Sequence, residues 1–246
     1  MNTNGNIYTI VYTTLIVVVV AGILAAAATF LKPSQQANIK AETISQMLQA
    51  AQFETAGLSN ASKLDKYAEE IECAFVIDAS GAKVRDLSVS RDNIQLIDNL
   101  KAQNYAIAGK GGYETGLPVY ILKNGVTIIP CYGAGLWGPV WGYLAIEPDG
   151  CTIKGAYFDH ESETAGLGSR IKDDPAFRTQ FCGKKIAWGQ KPSFEIIKGG
   201  APEGQENAID AITGATMTSR GLDAAINTWL AAYEPYFTAV KTTEEE

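Results

Sequence analysis

Residues 119–132 read VYILKNGVTIIPCY, two mostly apolar runs separated by Asn124-Gly125. Asn-Gly is the pair most typical of a two-residue hairpin turn, because both central positions of that turn need a positive φ angle. The runs on either side are rich in the β-branched residues that favour strands. The stretch therefore predicts an antiparallel hairpin formed by residues 119–123 and 126–132.

Two further hairpins are predicted on either side of this one. Residues 74–77 and 83–89 flank the turn Asp78-Ala-Ser-Gly81. Residues 143–147 and 151–157 flank Asp149-Gly150, a second pair of the same turn type. Strands that follow one another as hairpins pair in antiparallel fashion.

Helical patterns follow the strands. Residues 175–181 form a short candidate helix, and residues 218–237 form a longer one. The longer segment carries one apolar stripe at helical spacing, made of Leu222, Ile226, Trp229, Leu230 and Tyr233. Hairpins with helices after them predict an α+β fold with an antiparallel sheet.

The N-terminal region predicts a membrane anchor. Residues 10–31 read IVYTTLIVVVVAGILAAAATFL and contain no charged side chain. As a helix these residues span about 33 Å at 1.5 Å per residue, close to the roughly 30 Å of a bilayer core. A cleaved signal peptide is the alternative, with a possible cleavage site in the run 25–28, but the first eight residues lack its usual basic side chain. Lys32 and Pro33 predict a sharp end to the helix.

An amphipathic helix is predicted after the span, over residues 34–53, as a spacer. Its apolar face consists of Ile39, Thr43, Met47, Leu48 and Ala51, and its polar face of Gln35, Lys40, Glu42 and Gln46. Residues 57–66 have the polar composition of a loop. The predicted domains are a segment 1–32 with the transmembrane helix (about 10–31), a helical linker 33–70, and the main domain 71–246.

The amino-acid composition limits the classes of function that the chain can have. With 27 acidic and 20 basic residues the net charge is −7, which argues against a nucleic-acid partner. The single histidine, His160, excludes any metal site or acid–base mechanism that needs two. The four cysteines lack the paired spacing of zinc or iron–sulfur sites. We therefore predict no catalytic side chain and no metal site, so the chain either takes its chemistry from a cofactor or has none.

Three segments are candidates for a binding site, and the first two of them are rich in glycine. Residues 133–138, GAGLWG, fit a dinucleotide-binding pattern, but Pro139 and a predicted strand follow where a helix would be needed. We interpret them as a turn between strands, or as a surface beside a flat ligand with Trp137 and Trp141 available for stacking. Residues 160–168, HESETAGLG, are interpreted as a solvated acidic loop whose glycines allow close approach of a ligand.

The third segment is residues 210–219, DAITGATMTS, just before the long helix. The hydroxyl groups of Thr213, Thr216 and Thr218 lie at or near a helix N-terminus, where free N–H groups and the helix dipole favour a phosphate. An ordinary N-cap by Thr216 or Thr218 is the simpler alternative.

Residues 210–216 match the pattern D-x-x-[S/T]-G-A-T of proteins that carry FMN in phosphoester linkage to the last threonine. Over nearly its full length, the chain resembles the C subunits of the Na+-translocating NADH:quinone oxidoreductases. The resemblance also rests on the Met-Asn-Thr-Asn start, the single span, and the segments 132–138 and 163–168. Ala165 stands where this family usually has proline.

The resemblance implies FMN esterified to Thr216, with Gly214 and Ala215 leaving the space that the bond requires. It implies that Thr218 and neighbouring N–H groups receive the phosphate, with Thr213 in the same segment. Trp137 would lie along the isoalloxazine ring, which Thr164 and Leu167 would line on another segment. The flavin would relay electrons between NADH and ubiquinone as part of the complex.

The resemblance also implies partners and a location. The partners are the other subunits of the complex, the lipid bilayer, and a flavin transferase that takes FMN from FAD and reads a sequence including Asp210. The family places the FMN domain on the periplasmic side of the cell inner membrane. The two lysines that follow the span, Lys32 and Lys40, weakly favour the opposite orientation. The G subunits of the ion-translocating ferredoxin:NAD oxidoreductases and a flavin-free, membrane-tethered binding or scaffold domain are the alternatives.

Overall fold

The computed structural model describes residues 5–97, 99–110, 112 and 114–244. The Met-Asn-Thr-Asn start and the last two residues lie outside this description. The helices are α1 (Asn6–Ala50), α2 (Asn60–Glu70), α3 (Leu100–Ile107), α4 (Arg170–Asp173), α5 (Pro175–Thr179) and α6 (Thr216–Glu244). The strands are β1 (Ile71–Ile77), β2 (Lys83–Leu87), β3 (Leu117–Leu122), β4 (Thr127–Ala134), β5 (Pro139–Ile146), β6 (Ile153–His160), β7 (Glu195–Ile197) and β8 (Ala208–Asp210). The chain forms two compact units, one up to Glu42 and one from Thr43 onward.

Helix α1 contains the predicted membrane span and extends beyond it. Its most apolar 18-residue window has a mean hydropathy of 2.6 and is fully exposed, so the helix is apolar and long enough to cross a membrane. The predicted stop at Lys32 and Pro33 is wrong, because the helix continues through Pro33. Proline removes the hydrogen bond of its own N–H and its ring crowds the carbonyl of Thr29, a local cost that the other hydrogen bonds of the 45-residue helix offset.

The second unit is built on a six-stranded sheet with the order β2-β1-β3-β4-β5-β6. Every neighbouring pair in it is antiparallel. The three predicted hairpins are confirmed as β1–β2, β3–β4 and β5–β6. The predicted class, an α+β fold with an apolar N-terminal helix and an antiparallel sheet, is therefore confirmed.

Both faces of the sheet are covered, which explains its largely apolar strands. On one face Ile129 and Cys131 of β4 join a core cluster with the stripe of α6, whose five residues are at most 1% exposed. On the other face Ile128 joins a cluster with Met47 and Leu48. Successive residues of a strand point to opposite faces, so a strand covered on both sides is apolar at most positions.

The polarity predicted for residues 34–53 is partly reversed. Gln46, placed on the polar face, is 4% exposed, whereas Ile39, placed on the apolar face, is 61% exposed. The Gln46 Nε2 donates to Asp159 Oδ2 (2.9 Å), and its Oε1 accepts from Trp141 Nε1 (3.3 Å). The domain boundaries predicted at residues 33 and 71 stay a prediction, while the second compact unit begins at Thr43.

Several short elements lie outside the sequence prediction: helices α2, α3 and α4 and strands β7 and β8. Helix α2 replaces most of the predicted loop 57–66, and it begins where Ser59 Oγ accepts from the Ser62 N–H (3.1 Å). Strands β7 and β8 form a separate parallel pair. Because β8 ends at Asp210, the threonine-rich segment 210–219 begins at the end of this strand pair.

Candidate functional site

The three candidate segments, residues 133–138, 160–168 and 210–219, meet at one carboxylate, that of Glu163. Its Oε1 accepts hydrogen bonds from the N–H groups of Leu136 (2.8 Å) and Trp137 (2.9 Å). Its Oε2 accepts from the hydroxyl of Thr218 in the first turn of α6 (2.5 Å). Glu163 is only 7% exposed. The interpretation of residues 160–168 as a solvated acidic loop is therefore wrong at Glu163, because the donors that bury it come from distant parts of the chain.

Hydrogen bonding keeps Glu163 ionised. Burial alone would raise the pKa of its carboxyl group. The hydrogen bonds from Thr218, Trp137 and Leu136 lower the pKa by more than burial raises it, so the pKa lies below its ordinary value of 4.5. The charged form is favoured more in the folded than in the unfolded chain. The resulting stabilisation is present above the unfolded pKa and is lost as the pH falls through the lowered pKa.

Two glycines make room for this carboxylate. A Cβ added to Gly135 would lie 2.5 Å from Glu163 Oε1. A Cβ added to Gly168 would lie 2.5 Å from Glu163 Oε2 and 2.6 Å from Thr218 Oγ1. Within the segment 133–138, the first two residues end β4, and residues 135–138 form the predicted turn to β5, closed by a hydrogen bond from Gly135 N–H to the Gly138 carbonyl (2.8 Å).

The threonine-rich segment forms the start of α6. Thr216 is the first helical residue and its side chain is half-buried. The backbone hydrogen bond from Ser219 N–H to Ala215 O (2.9 Å) opens the helix, so the N–H groups of Thr216, Met217 and Thr218 precede it. Before the helix, the Ile212 N–H donates to Ser219 Oγ (3.1 Å), and Gly214 adopts a φ of +82° that favours glycine.

Large apolar side chains are exposed around these segments. From Thr43 onward, seven large apolar side chains are exposed among the described residues: Leu58, Val84, Tyr105, Leu136, Trp137, Leu167 and Met217. The last four of these residues, from Leu136 to Met217, belong to the three candidate segments. Trp137 is the most exposed of them at 67%. A Cβ on Gly214 would lie 3.1 Å from Leu167 Cδ2, so the loop after β6 and the segment before α6 lie against each other.

The structure brings together most of the predicted site residues. Glu163 links Trp137 to Thr218, and Leu167 lies against Gly214. Thr164 is in the same loop, where its carbonyl accepts from the N–H groups of Leu167 and Ser169 (both 3.1 Å). Ala215 is buried at the helix start, while Thr213 is exposed in the turn before it.

Trp141 has a different environment from Trp137, since its ring is partly buried against the core and hydrogen-bonded to Gln46. The sequence prediction missed Glu163, Leu136 and Met217 as members of the site. Only the glycines around Glu163 hinted at tight packing there.

Comparisons with known proteins point to one family. A family profile described as an FMN-binding domain matches residues 135–231, which include the turn, the loop and most of α6. The chain is 31% identical over 230 residues to the C subunit of the Na(+)-translocating NADH-quinone reductase of Vibrio vulnificus, covering 89% of each chain. It is 32% identical over 239 residues to the same subunit of Vibrio parahaemolyticus, again covering 89% of each chain.

Two solved structures have the same fold. The crystal structure of the C subunit of the Na(+)-translocating NADH-quinone reductase from Parabacteroides distasonis has a TM-score of 0.71 and 32% identity, covering 85% of this chain and 97% of that one. Shewanella oneidensis NqrC has a TM-score of 0.63 and 26% identity, covering 82% of this chain and 97% of that one. The present chain belongs to the family of the C subunits of the Na(+)-translocating NADH-quinone reductases.

Proposed function

We propose that this chain is the FMN-carrying subunit of a membrane-bound, Na+-translocating NADH:quinone reductase, with FMN attached through a phosphoester to Thr216. The observation that carries the proposal is the position of Thr216, which is the first residue of α6 in the sequence DAITGAT, within the part that matches the FMN-binding domain. The named relatives favour the C subunit over the G subunit of the ferredoxin:NAD oxidoreductase, and the FMN-binding match favours a flavoprotein over a scaffold domain.

The start of α6 fits the phosphate end of FMN. The N–H groups of Thr216, Met217 and Thr218 precede the first hydrogen bond of the helix, and the helix dipole favours an anion there. The Thr218 hydroxyl donates its hydrogen to Glu163, so its role is to hold the helix start in place. Thr216 itself is half-buried, between the buried Ala215 and the exposed Met217.

The exposed apolar side chains fit the ring end. Trp137 offers an aromatic face, and Leu167, Leu136 and Met217 offer apolar surface around the same segments. Covering these side chains with a flat ring removes apolar area from water, at about 25 cal/mol per Å2. Thr164 and Thr213 supply exposed hydroxyls at the edges of this surface.

When bound, the flavin supplies the electron transfer, and the protein supplies attachment, orientation and electrostatic environment. The backbone N–H groups hold the phosphate, and Trp137 and Leu167 fix the ring. The ionised Glu163 adds a fixed negative charge behind the turn that carries Trp137. These roles need no side chain that gains or loses a proton, consistent with a chain that contains one histidine.

The anchor and the partners complete the proposal. Helix α1 spans the cell inner membrane once and holds the FMN domain on the periplasmic side, beside the other subunits of the complex. The apolar span has no charged residue, so we assign no ion-translocating group to it. A flavin transferase attaches FMN by reading the sequence that begins at Asp210, the last residue of β8.

The test is the intact mass of the full chain, purified in detergent after expression with a flavin transferase. We expect the wild-type chain to gain the mass of one esterified FMN and to fluoresce in a denaturing gel. Thr216→Ala should lose both signals. Thr213→Ala is the comparison variant: this threonine lies three residues earlier in an exposed turn, and its loss should have a much milder effect on both signals because the acceptor hydroxyl remains.

Because Thr216 lies outside the apolar stripe of α6, its substitution should shift the unfolding free energy by less than about 0.5 kcal/mol. Covalent flavin in Thr216→Ala at the wild-type level would contradict the attachment site. A wild-type chain that never gains the FMN mass would contradict the proposed function.

A further inference from the structure

Glu163 binds two separate segments with its two carboxylate oxygens. Oε1 is shared by the N–H groups of Leu136 and Trp137, and Oε2 accepts from Thr218. Leu136 and Thr218 are 27 and 55 positions away from Glu163 in sequence. One side chain therefore fixes the distance between the turn that carries Trp137 and the first turn of α6.

The backbone of Glu163 is itself fixed. Its N–H donates to the Nδ1 atom of His160 (3.1 Å), and the backbone N–H of His160 donates to Asp159 Oδ1 (2.8 Å). Asp159 is 5% exposed and also accepts from Lys172 Nζ (2.8 Å) and from Gln46. The loop thus starts from a hydrogen-bonded anchor at the end of β6.

The donor set requires an acceptor at this point. Two backbone N–H groups and one hydroxyl point at the carboxylate, and an ionised carboxylate accepts all three without needing a donor in return. If the carboxylate is removed, these N–H groups lose a charge-assisted partner. Gly135 and Gly168 admit the carboxylate only because they lack a Cβ, so the surroundings are shaped around it.

We propose that Glu163 is the positioning residue of this site: it holds the Trp137 turn and the start of α6 in their mutual arrangement before any ligand binds. The proposal rests on the proposed function only in that this arrangement is the one that receives FMN. Glu163 acts through Trp137 and Thr218 and is not assigned a contact with the reacting atoms.

The competing explanation is that Glu163 merely stabilises the fold. A general stabiliser, once removed, loosens the sheet core together with the turn. A positioning residue, once removed, loosens the turn and the helix start while the core keeps its protection. Local hydrogen exchange separates the two explanations, because each amide reports its own opening.

The first arm of the test uses the full chain in detergent without flavin, and compares wild type with Glu163→Ala, Glu163→Gln and Glu161→Ala. We expect the amides of Leu136 and Trp137 to exchange about tenfold faster or more in Glu163→Ala, the size expected for losing a hydrogen bond to a charged group. The core amides of Leu144 and Ile226 should keep wild-type rates. Glu161→Ala is the matched control, because Glu161 is an exposed acid two residues away in the same loop.

Glu163→Gln keeps an oxygen for the two N–H groups and an amide that can donate to the Thr218 oxygen. In this variant the exchange rates of the Leu136 and Trp137 amides should therefore stay within about threefold of the wild-type rates. On a free-energy scale this is roughly half of the tenfold effect expected for Glu163→Ala. If Glu163→Ala does not fold, Gly168→Ala displaces the carboxylate while keeping its charge, and should accelerate the same two amides. Unchanged exchange at Leu136 and Trp137, or equal acceleration in the core, would overturn the proposal.

The second arm uses chains expressed with a flavin transferase. Among the molecules that carry covalent FMN, the fluorescence anisotropy of the flavin should be lower in Glu163→Ala than in wild type, because the ring is less well held. An unchanged anisotropy would overturn the proposal that Glu163 positions the segments that hold the flavin ring. If the wild-type chain gains no FMN, the proposed function fails, while the first arm still decides whether Glu163 positions the turn.

Discussion

At the scale of single residues, the two tryptophans of the β4–β5 region show how burial separates roles. Trp137 is 67% exposed, and only its backbone is fixed, through Glu163 and through Ser162 Oγ, which donates to its carbonyl (3.0 Å). Trp141 is partly buried and hydrogen-bonded to Gln46. A side chain held at its backbone and exposed at its ring is suited to bind a ligand, whereas a ring packed in the core stabilises the fold.

Substitution of these two residues should therefore have opposite effects. Trp137→Ala should leave Thr216 modified and raise flavin fluorescence, because an indole close to the ring quenches it. Losing the ring contact is worth about 1 kcal/mol, or roughly tens of millivolts in flavin potential where the contact differs between redox states. Trp141→Ala should instead lower the unfolding free energy by about 2 kcal/mol with little change in the flavin.

The measurements are flavin fluorescence, redox titration and denaturant unfolding of the three chains. A change of fluorescence and potential in Trp141→Ala but not in Trp137→Ala would mean that the wrong tryptophan has been assigned to the ring.

At the scale of elements, the contacts of α6 with β3 and β4 determine where the helix start lies. Trp229 Nε1 donates to the Tyr132 carbonyl (2.9 Å), and Tyr233 Oη donates to the Pro118 carbonyl (2.6 Å). Between these anchors and the helix start, Gly133 lies against Ala225, and a Cβ on Gly133 would be 2.6 Å from the Ala225 Cβ. The glycines of segment 133–138 thus serve helix packing and the Glu163 carboxylate.

Gly133→Ala should therefore push α6 away from β4. We expect a loss of about 1–3 kcal/mol in unfolding free energy, the usual cost of overpacking a close contact. Ala225→Gly alone should cost about 1 kcal/mol through lost helix propensity. In the double variant the missing Ala225 methyl restores the space, so the double variant should be more stable than the sum of the two single effects predicts.

Denaturant unfolding of the four chains of this cycle measures the coupling. Strictly additive effects would show that the β4–α6 contact has room for the extra methyl group.

At the scale of the whole molecule, very few charged residues near the membrane span indicate its orientation. The apolar span carries none, and the nearest basic residues, Lys32 and Lys40, both follow it. Two lysines are a small bias under the positive-inside rule. The proposed periplasmic location therefore depends on the family resemblance and opposes this bias.

A reporter fused after Glu246 tests the location. In the proposed orientation a periplasm-dependent phosphatase should be active there, because its disulfides form only outside the cytoplasm. A fluorescent protein that matures only in the cytoplasm should stay dark at the same position. The reverse pattern would favour the orientation predicted by the lysines.

The sequence by itself determined the local elements of this protein. Asn124-Gly125 and Asp149-Gly150 specify tight turns, and the stripe ending at Tyr233 specifies one face of a helix, because turn geometry and side-chain periodicity depend on neighbouring residues alone. The same holds for the apolar span and for the short pattern around Thr216, since each is contained in one continuous stretch.

Only the tertiary structure decided which polar residues are buried. Glu163 and Gln46 are polar residues of the kind usually exposed to solvent. They are buried here because partners as distant in sequence as Thr218 and Asp159 form hydrogen bonds with their polar atoms. The β7–β8 pairing likewise depends on surroundings that no short pattern contains. A buried polar group is stable only when its hydrogen bonds are satisfied, and that condition is set by the folded chain as a whole.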